Sequence, residues 1–188
     1  MIKRKLDEGY RCLYLNSRPM VAGIQSRLST IGIDVAYEMA KARLILSSEP
    51  VTSPDGGFEV DSMLSKLEDA LDQALSDGYK GLWATGDMTW EFGSENNFPK
   101  LMKYERGLED IFRRRPALCG ICQYHQDTLP REVTRQGLLT HQMLFINETL
   151  ARINPLYAPA GMSNDQMATR PELDEMLATL HQLQDTKS

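Results

Sequence analysis

The stretch from Tyr79 to Gln126 constrains the fold more than any other part of the chain. It holds two short, uninterrupted apolar runs, Gly81-Leu82-Trp83-Ala84-Thr85 and Ala117-Leu118-Cys119-Gly120-Ile121-Cys122. Such runs suit strands buried on both faces, as in a parallel sheet. Between them lie a polar turn and an amphipathic helix, long enough for the crossover a parallel pair needs. Asp87, Trp90 and Glu91 follow the first run, and Gln123 and Tyr124 follow the second. Ligands of open α/β sheets bind beyond the carboxyl ends of the strands. If the two runs are parallel neighbours, these five groups converge on one rim.

The rest of the chain alternates in the same way. Residues 1–8 read as a helix end with Gly9 as its stop, and Arg11 to Asn16 as a strand. Ser17 is placed to cap a helix with Pro19 in its first turn, and Asp34 to cap a short one over Val35 to Lys41. Leu44-Ile45-Leu46 is a strand, and residues 47–58, with two prolines and Gly56-Gly57, form a loop. Val60, Met63, Leu64, Leu67, Leu71, Ala74 and Leu75 make one helical stripe up to Ser76. A second long helix, from Phe98 to Arg114, carries Leu101, Met102, Leu108 and Phe112 on one face, with Glu105 inside that face. A buried carboxylate costs several kcal/mol, roughly, unless it is partnered. Pro130 opens a helix to Thr140, Met143 to Ile146 is a strand, and Glu148 to Leu156 returns beside it as an edge limited by Pro155. Residues 159–167 form a linker. A capping box from Thr169 to Glu172 starts a last helix with the stripe Leu173, Met176, Leu177, Leu180 and Leu183. The pattern predicts an α/β fold, three layers with a mostly parallel central sheet, over residues 1–160, then a linker and amphipathic helix over 161–188.

Composition narrows the function classes. A net charge of −5 argues against a broad nucleic-acid-binding surface. No apolar run approaches the ~20 residues of a membrane span. The basic start, Met1-Ile2-Lys3-Arg4-Lys5, leads into Leu6-Asp7-Glu8-Gly9 and not into an apolar signal region. Three cysteines, an odd number, point to reduced thiols and a cytoplasmic setting.

Several residues invite chemistry, each with a plainer alternative. Asp87 with Glu91 suits a metal or acid/base pair, or a turn cap beside a solvated carboxylate. Cys119 and Cys122 have C-x-x-C spacing, but a structural zinc site needs a second pair and a redox motif needs a helix N-terminus. His141 suits a ligand or proton-relay role, or a hydrogen-bonded place at a sheet edge. His125 and His181 read as solvated. Trp90 and Tyr124 suit the wall of an apolar pocket or ordinary packing. Arg113-Arg114-Arg115 reads as a solvated basic helix end in preference to a phosphate-binding run. No Gly-x-Ser-x-Gly elbow and no phosphate-cradling G-x-x-x-x-G-K-[ST] loop occurs.

Thr85-Gly86-Asp87-Met88-Thr89-Trp90, Tyr104-Glu105 and Cys122-Gln123-Tyr124, together with Gly32-Ile33-Asp34-Val35 and Thr140-His141, resemble the MEDS domain. That is the sensory domain of dichloromethane-responsive (DcmR-like) regulators, related to RecA/KaiC-type ATPases. The resemblance spans roughly residues 5–160 and implies a RecA-like fold. It departs from the family pattern at the N-terminus, where a strand, a phosphate loop, a histidine and a cysteine are expected ahead of Arg11. It also departs at Gln142, where the family has proline. It implies signal transduction: a small organic ligand, a hydrocarbon derivative, bound by Asp87, Trp90, Glu91, Cys122, Gln123, Tyr124 and His141. Tyr104 and Glu105 support that rim. No cofactor, metal or catalytic residue is expected. The signal passes to a regulatory protein partner or through self-association of the last helix. Two other readings stay open: a degenerate nucleotide-binding ATPase or kinase-like module, and a scaffold without a ligand.

Overall fold

The computed structural model describes residues 1–48, 59–88, 98–125, 127–147, 150–158 and 170–185. Among these, the expected 47–58 loop is described only at its start. The 159–167 linker and the Thr169 cap lie outside them. The chain forms two compact units, Met1–Gln123 and Tyr124–Ser188. The first unit ends with the second central strand.

The first unit is a four-stranded, all-parallel sheet covered by helices on both faces, a three-layer α/β/α arrangement. Its strands are β1 (Arg11–Leu15), β2 (Leu44–Ser47), β3 (Leu82–Asp87) and β4 (Leu118–Gln123), in the order β2-β1-β3-β4. Arg11 is in register with Leu82, and Leu82 with Leu118. At the carboxyl ends Leu15 pairs with Gly86, Gly86 with Cys122, and Asp87 with Gln123.

Strand alternation sends successive side chains to opposite faces. On one face Cys12, Tyr14, Leu44 and Trp83 pack with Ile2 and Leu6 of α1 (Ile2–Asp7), Leu28 of α2 (Arg18–Thr30) and Val35 of α3 (Val35–Ala40). Asp34 caps α3 as expected, accepting from the Tyr37 N–H at 3.0 Å. Ser17 is the N-cap residue of α2, but its side chain makes no cap bond.

The opposite face is covered by α4 (Val60–Ser76) and α5 (Phe98–Arg114). The α4 stripe buries Val60, Met63, Leu67, Leu71 and Ala74, whereas Leu75 is exposed. From α5 it is Leu101, Tyr104, Glu105, Leu108 and Ile111 that are buried. The basic end of α5 is used on the surface: Arg114 and Arg115 pair with Glu68 and Asp72 of α4, and Arg113 with Asp110. Exposed pairs of this kind contribute about 0–1 kcal/mol each.

The second unit holds α6 (Arg131–Thr140), the antiparallel pair β5 (Met143–Asn147) and β6 (Leu150–Ile153), and α7 (Leu173–Asp185). Leu173, Met176 and Leu180 of the terminal stripe are buried, with α7 packed on α6. The buried Arg135 of α6 donates to the Pro171 and Arg170 carbonyls at 2.9 and 3.0 Å, and Arg131 pairs with Asp174 at 2.6 Å.

Two predictions follow from the packed sheet. A Cβ at Gly120 would stand 2.2 Å from the Ala84 carbonyl oxygen, a backbone atom that cannot rotate away. Gly120→Ala is expected to destabilise the protein by about 1–3 kcal/mol, the usual cost of overpacking, read from denaturant midpoints. Burial also pushes the Cys12 thiol up to about 12, and raises the Cys119 thiol and the Tyr14 hydroxyl. The unfolded chain ionises these groups at lower pH than the folded one. Their contribution is intact below the unfolded values near 9 to 10 and is lost as pH climbs towards 12. Unfolding free energy should fall between pH 9 and 11 by up to about 1.4 kcal/mol per pH unit per group, and Cys12→Ala should flatten the slope.

Candidate functional site

The strand order contains one reversal. From β1 the chain moves outward to β2, then returns to place β3 on the other side of β1, and continues outward to β4. The carboxyl ends of β1 and β3 therefore flank the switch point, where open α/β sheets form their ligand crevices. Asp87 ends β3 at this point and is buried. It is the last residue of the strand, in register with Gln123.

Alternation divides the expected rim. Asp87 and Gln123 share the face of α1–α3 with Thr85. The Gln123 Nε2 donates to the Thr85 hydroxyl at 2.8 Å, and that hydroxyl donates to the Ile121 carbonyl at 2.8 Å. Cys122 takes the opposite face, where its thiol donates to the Glu105 carboxylate at 3.3 Å. Glu105 is fully enclosed, as its place in the α5 stripe implied, and the Cys122 thiol is one of its partners. Cys119 and Cys122 therefore point to opposite faces, and none of the three cysteines is in a disulfide.

On the Cys122 face, between the sheet and α4 and α5, lies a cavity of about 30 Å³. Its walls include Leu15, Leu67, Gly86, Tyr104, Leu108 and Cys122. The lining is mostly apolar, with a thiol and a phenol among the wall residues. A volume of this size holds about two water-sized groups.

Sequence reasoning overlooked the end of β1. Tyr14 and Asn16 are buried on the Asp87 face, and the Asn16 Nδ2 donates to the Tyr14 hydroxyl at 3.0 Å. The Asn16 Oδ1 accepts the Ser17 N–H at 2.8 Å, which fixes the orientation of the amide. Burial, followed by the Asp87 charge, raises the Tyr14 hydroxyl above its ordinary range. A polar Asn directly after an apolar strand was the available signal. Its meaning depends on β1 pairing with β3, which local pattern does not reveal.

Tyr124 and His141 belong to the second unit. Their rings meet edge to face with centroids 6.0 Å apart. The Tyr124 ring fills the space left by Gly137, where a Cβ would stand 2.7 Å from it. His141 Nδ1 lies 2.8 Å from the Gly137 carbonyl and 3.2 Å from the Thr140 hydroxyl. A carbonyl only accepts, so Nδ1 carries a proton and donates it to the Gly137 oxygen. Trp90 and Glu91 lie outside the described residues. His125 and His181 are exposed, as expected.

The bend carrying His141 is held by Asn154, which is buried. Its Nδ2 donates to the Leu138 carbonyl at 2.5 Å and the His141 carbonyl at 2.7 Å, and its Oδ1 accepts the Leu156 N–H at 2.9 Å. Asn154→Ala leaves two buried carbonyls short of a donor. It is expected to lower the stability of the chain by about 1–3 kcal/mol in denaturant titrations.

Among the described residues no helix is long and apolar enough to cross a membrane. No curated protein matches the chain. The family model described as MEDS, the MEthanogen/methylotroph, DcmR Sensory domain, matches residues 1–142. That match takes in the whole parallel sheet, the Cys122 cavity and the switch point, and it ends just after His141. The chain belongs to the MEDS family of sensory domains.

Proposed function

We propose that this sensory domain binds a small organic molecule, a short hydrocarbon derivative, in the cavity beside Cys122. The cavity itself carries this reading: about 30 Å³, apolar walls, and a position at the carboxyl end of a parallel sheet. Its size limits the bound part of the ligand to one or two heavy atoms beyond hydrogen. Cys122 and Tyr104 supply the polar contacts that orient it, and Glu105 holds the Cys122 thiol in place. The domain needs no chemical transformation for this role. Binding would shift an equilibrium between two conformations by the ligand's differential affinity for them, in the cytoplasm, with the output carried by a protein partner. Since Leu173, Met176 and Leu180 are buried within their own unit, an output through self-association would use another surface.

A thermal-shift series on the 188-residue chain tests this reading. One- and two-carbon alcohols, amines, acids and halides would be compared with Mg-ATP. A ligand at 100 times its dissociation constant stabilises by about 2.7 kcal/mol, and at this size each kcal/mol raises the midpoint by about 2–4 °C. The expected result is a rise with one small organic and none with Mg-ATP. Leu67→Phe, which fills the cavity from α4, is expected to abolish the rise while the protein still melts cooperatively. A response to Mg-ATP alone would favour the nucleotide-binding reading. Silence from a cooperatively melting chain would favour a scaffold.

A further inference from the structure

The parallel sheet of the first unit has one long, open edge. β4 pairs with β3 on one side and ends the strand order on the other. The inner strands β1 and β3 are buried at every residue but one. In β4 only Leu118 is buried, and Cys119 to Gln123 are half-buried. Proteins protect edges of this kind with a charge, a proline, a bulge or a very short strand. β4 has none of these. It is six uncharged residues, Leu-Cys-Gly-Ile-Cys-Gln, in unbroken register with β3. The opposite edge strand, β2, has four residues.

The backbone of β4 defines what fits beside it. The Leu82 N–H donates to the Ala117 carbonyl at 3.0 Å, which turns that carbonyl to β3. Backbone groups alternate along a strand, so those of Cys119 and Ile121 also turn to β3 and those of Gly120, between them, turn outward. Among the described residues, no backbone bond from outside the strand ladder reaches Gly120. A donor and an acceptor side by side in the plane of a sheet are completed by another extended backbone.

The side chains define what kind of strand. On one face of the edge, Cys119 and Ile121 are packed with Tyr10 against the α1–α3 core. On the other face Cys122 and the half-buried Phe112 of α5 border one apolar cavity. A strand laid along β4 therefore meets apolar groups above and below. A second copy of β4 fills this place badly. A twofold axis keeps the two faces of the sheet in common, so the row Leu118, Gly120, Cys122 would meet the same row, small residues against small residues. Gly120 admits no side chain of its own, because a Cβ there would collide with the Ala84 carbonyl. The space beside it is filled by a bulky residue from a different strand.

We propose that the outer edge of β4 is a docking site for an extended, uncharged segment of a partner protein, apolar on both faces and carrying a bulky residue opposite Gly120. This inference does not rest on a ligand in the Cys122 cavity.

The test is residue-resolved amide hydrogen exchange by NMR on the 188-residue chain. The probe is the peptide Lys-Val-Val-Phe-Val-Val-Lys, blocked at both ends. N-methyl groups on alternate residues close one of its edges, so it cannot stack on itself. The expected result is saturable binding that slows exchange at the Gly120 N–H and leaves Cys119 and Ile121, already turned to β3, unchanged. The same peptide N-methylated on both edges keeps every side chain and should not bind. Replacing its phenylalanine by alanine should weaken binding about tenfold, as the loss of an aromatic anchor does. Equal binding of the fully methylated peptide, or no saturable binding, would overturn the proposal. So would a Gly120 amide already protected in the free chain, because the edge would then be covered from within. Protection that grows with protein concentration in the absence of peptide would overturn it in favour of a second copy.

Discussion

The parallel pairing of β1 with β3 is the interaction on which the rest of this unit depends. It places Leu13, Leu15 and Ala84 at the middle of a sheet that must be covered on both sides, because a parallel sheet has no solvated face. One side is closed by α1–α3 and the other by α4 and α5. The pairing joins segments about seventy residues apart in the chain, Arg11 with Leu82 through Leu15 with Gly86. Closing that loop costs entropy, which only the burial on both faces offsets.

The same pairing brings polar groups into a dry place. At the carboxyl ends, Tyr14, Asn16, Thr85, Asp87 and Glu105 are all buried. Each such group costs free energy unless it is bonded, and most of the bonds run between strands or from strand to helix. Gln123 of β4 bonds Thr85 of β3, and Cys122 of β4 bonds Glu105 of α5. A polar network of this kind ties the register to the chemistry, since a one-residue slip would send every member to the wrong face. The sensory domain therefore keeps two chemically different environments on opposite faces of one sheet. One is an apolar cavity beside a thiol, and the other a set of buried polar side chains, Tyr14, Asn16, Thr85 and Asp87.

Much of this was legible in the chain. The apolar runs at 81–85 and 117–122 are strands, the stripe from Val60 to Ala74 is buried, and Asp34 caps α3. Glu105 is enclosed because it occupies an apolar helix face, as its spacing from Leu101 and Leu108 implied. Leu75, although apolar, is exposed, because the buried line of α4 runs through Val60, Met63, Leu67, Leu71 and Ala74, and Leu75 lies one residue, about 100° of helix, to its side. The candidate site was read less completely. Asp87 and Gln123 do meet in register, but Cys122, one residue from Gln123, faces away from them. Tyr124 and His141 form their own pair in a separate unit, fixed by the small size of Gly137. Tyr14 and Asn16 carried no motif and were not singled out.

The sequence by itself determined the elements, their alternation, the parallel class of the sheet and the membership of the chain in a sensory family. These follow from local hydrophobic period, from caps and glycine stops, and from short motifs, all of which are written within a few residues of where they act. The tertiary structure decided which strands are neighbours, which face each polar residue takes, and that the end of β1 joins Asp87 at the switch point. Those choices rest on pairings across tens of residues, where register is set by the fit of both faces against their helices and not by any local signal.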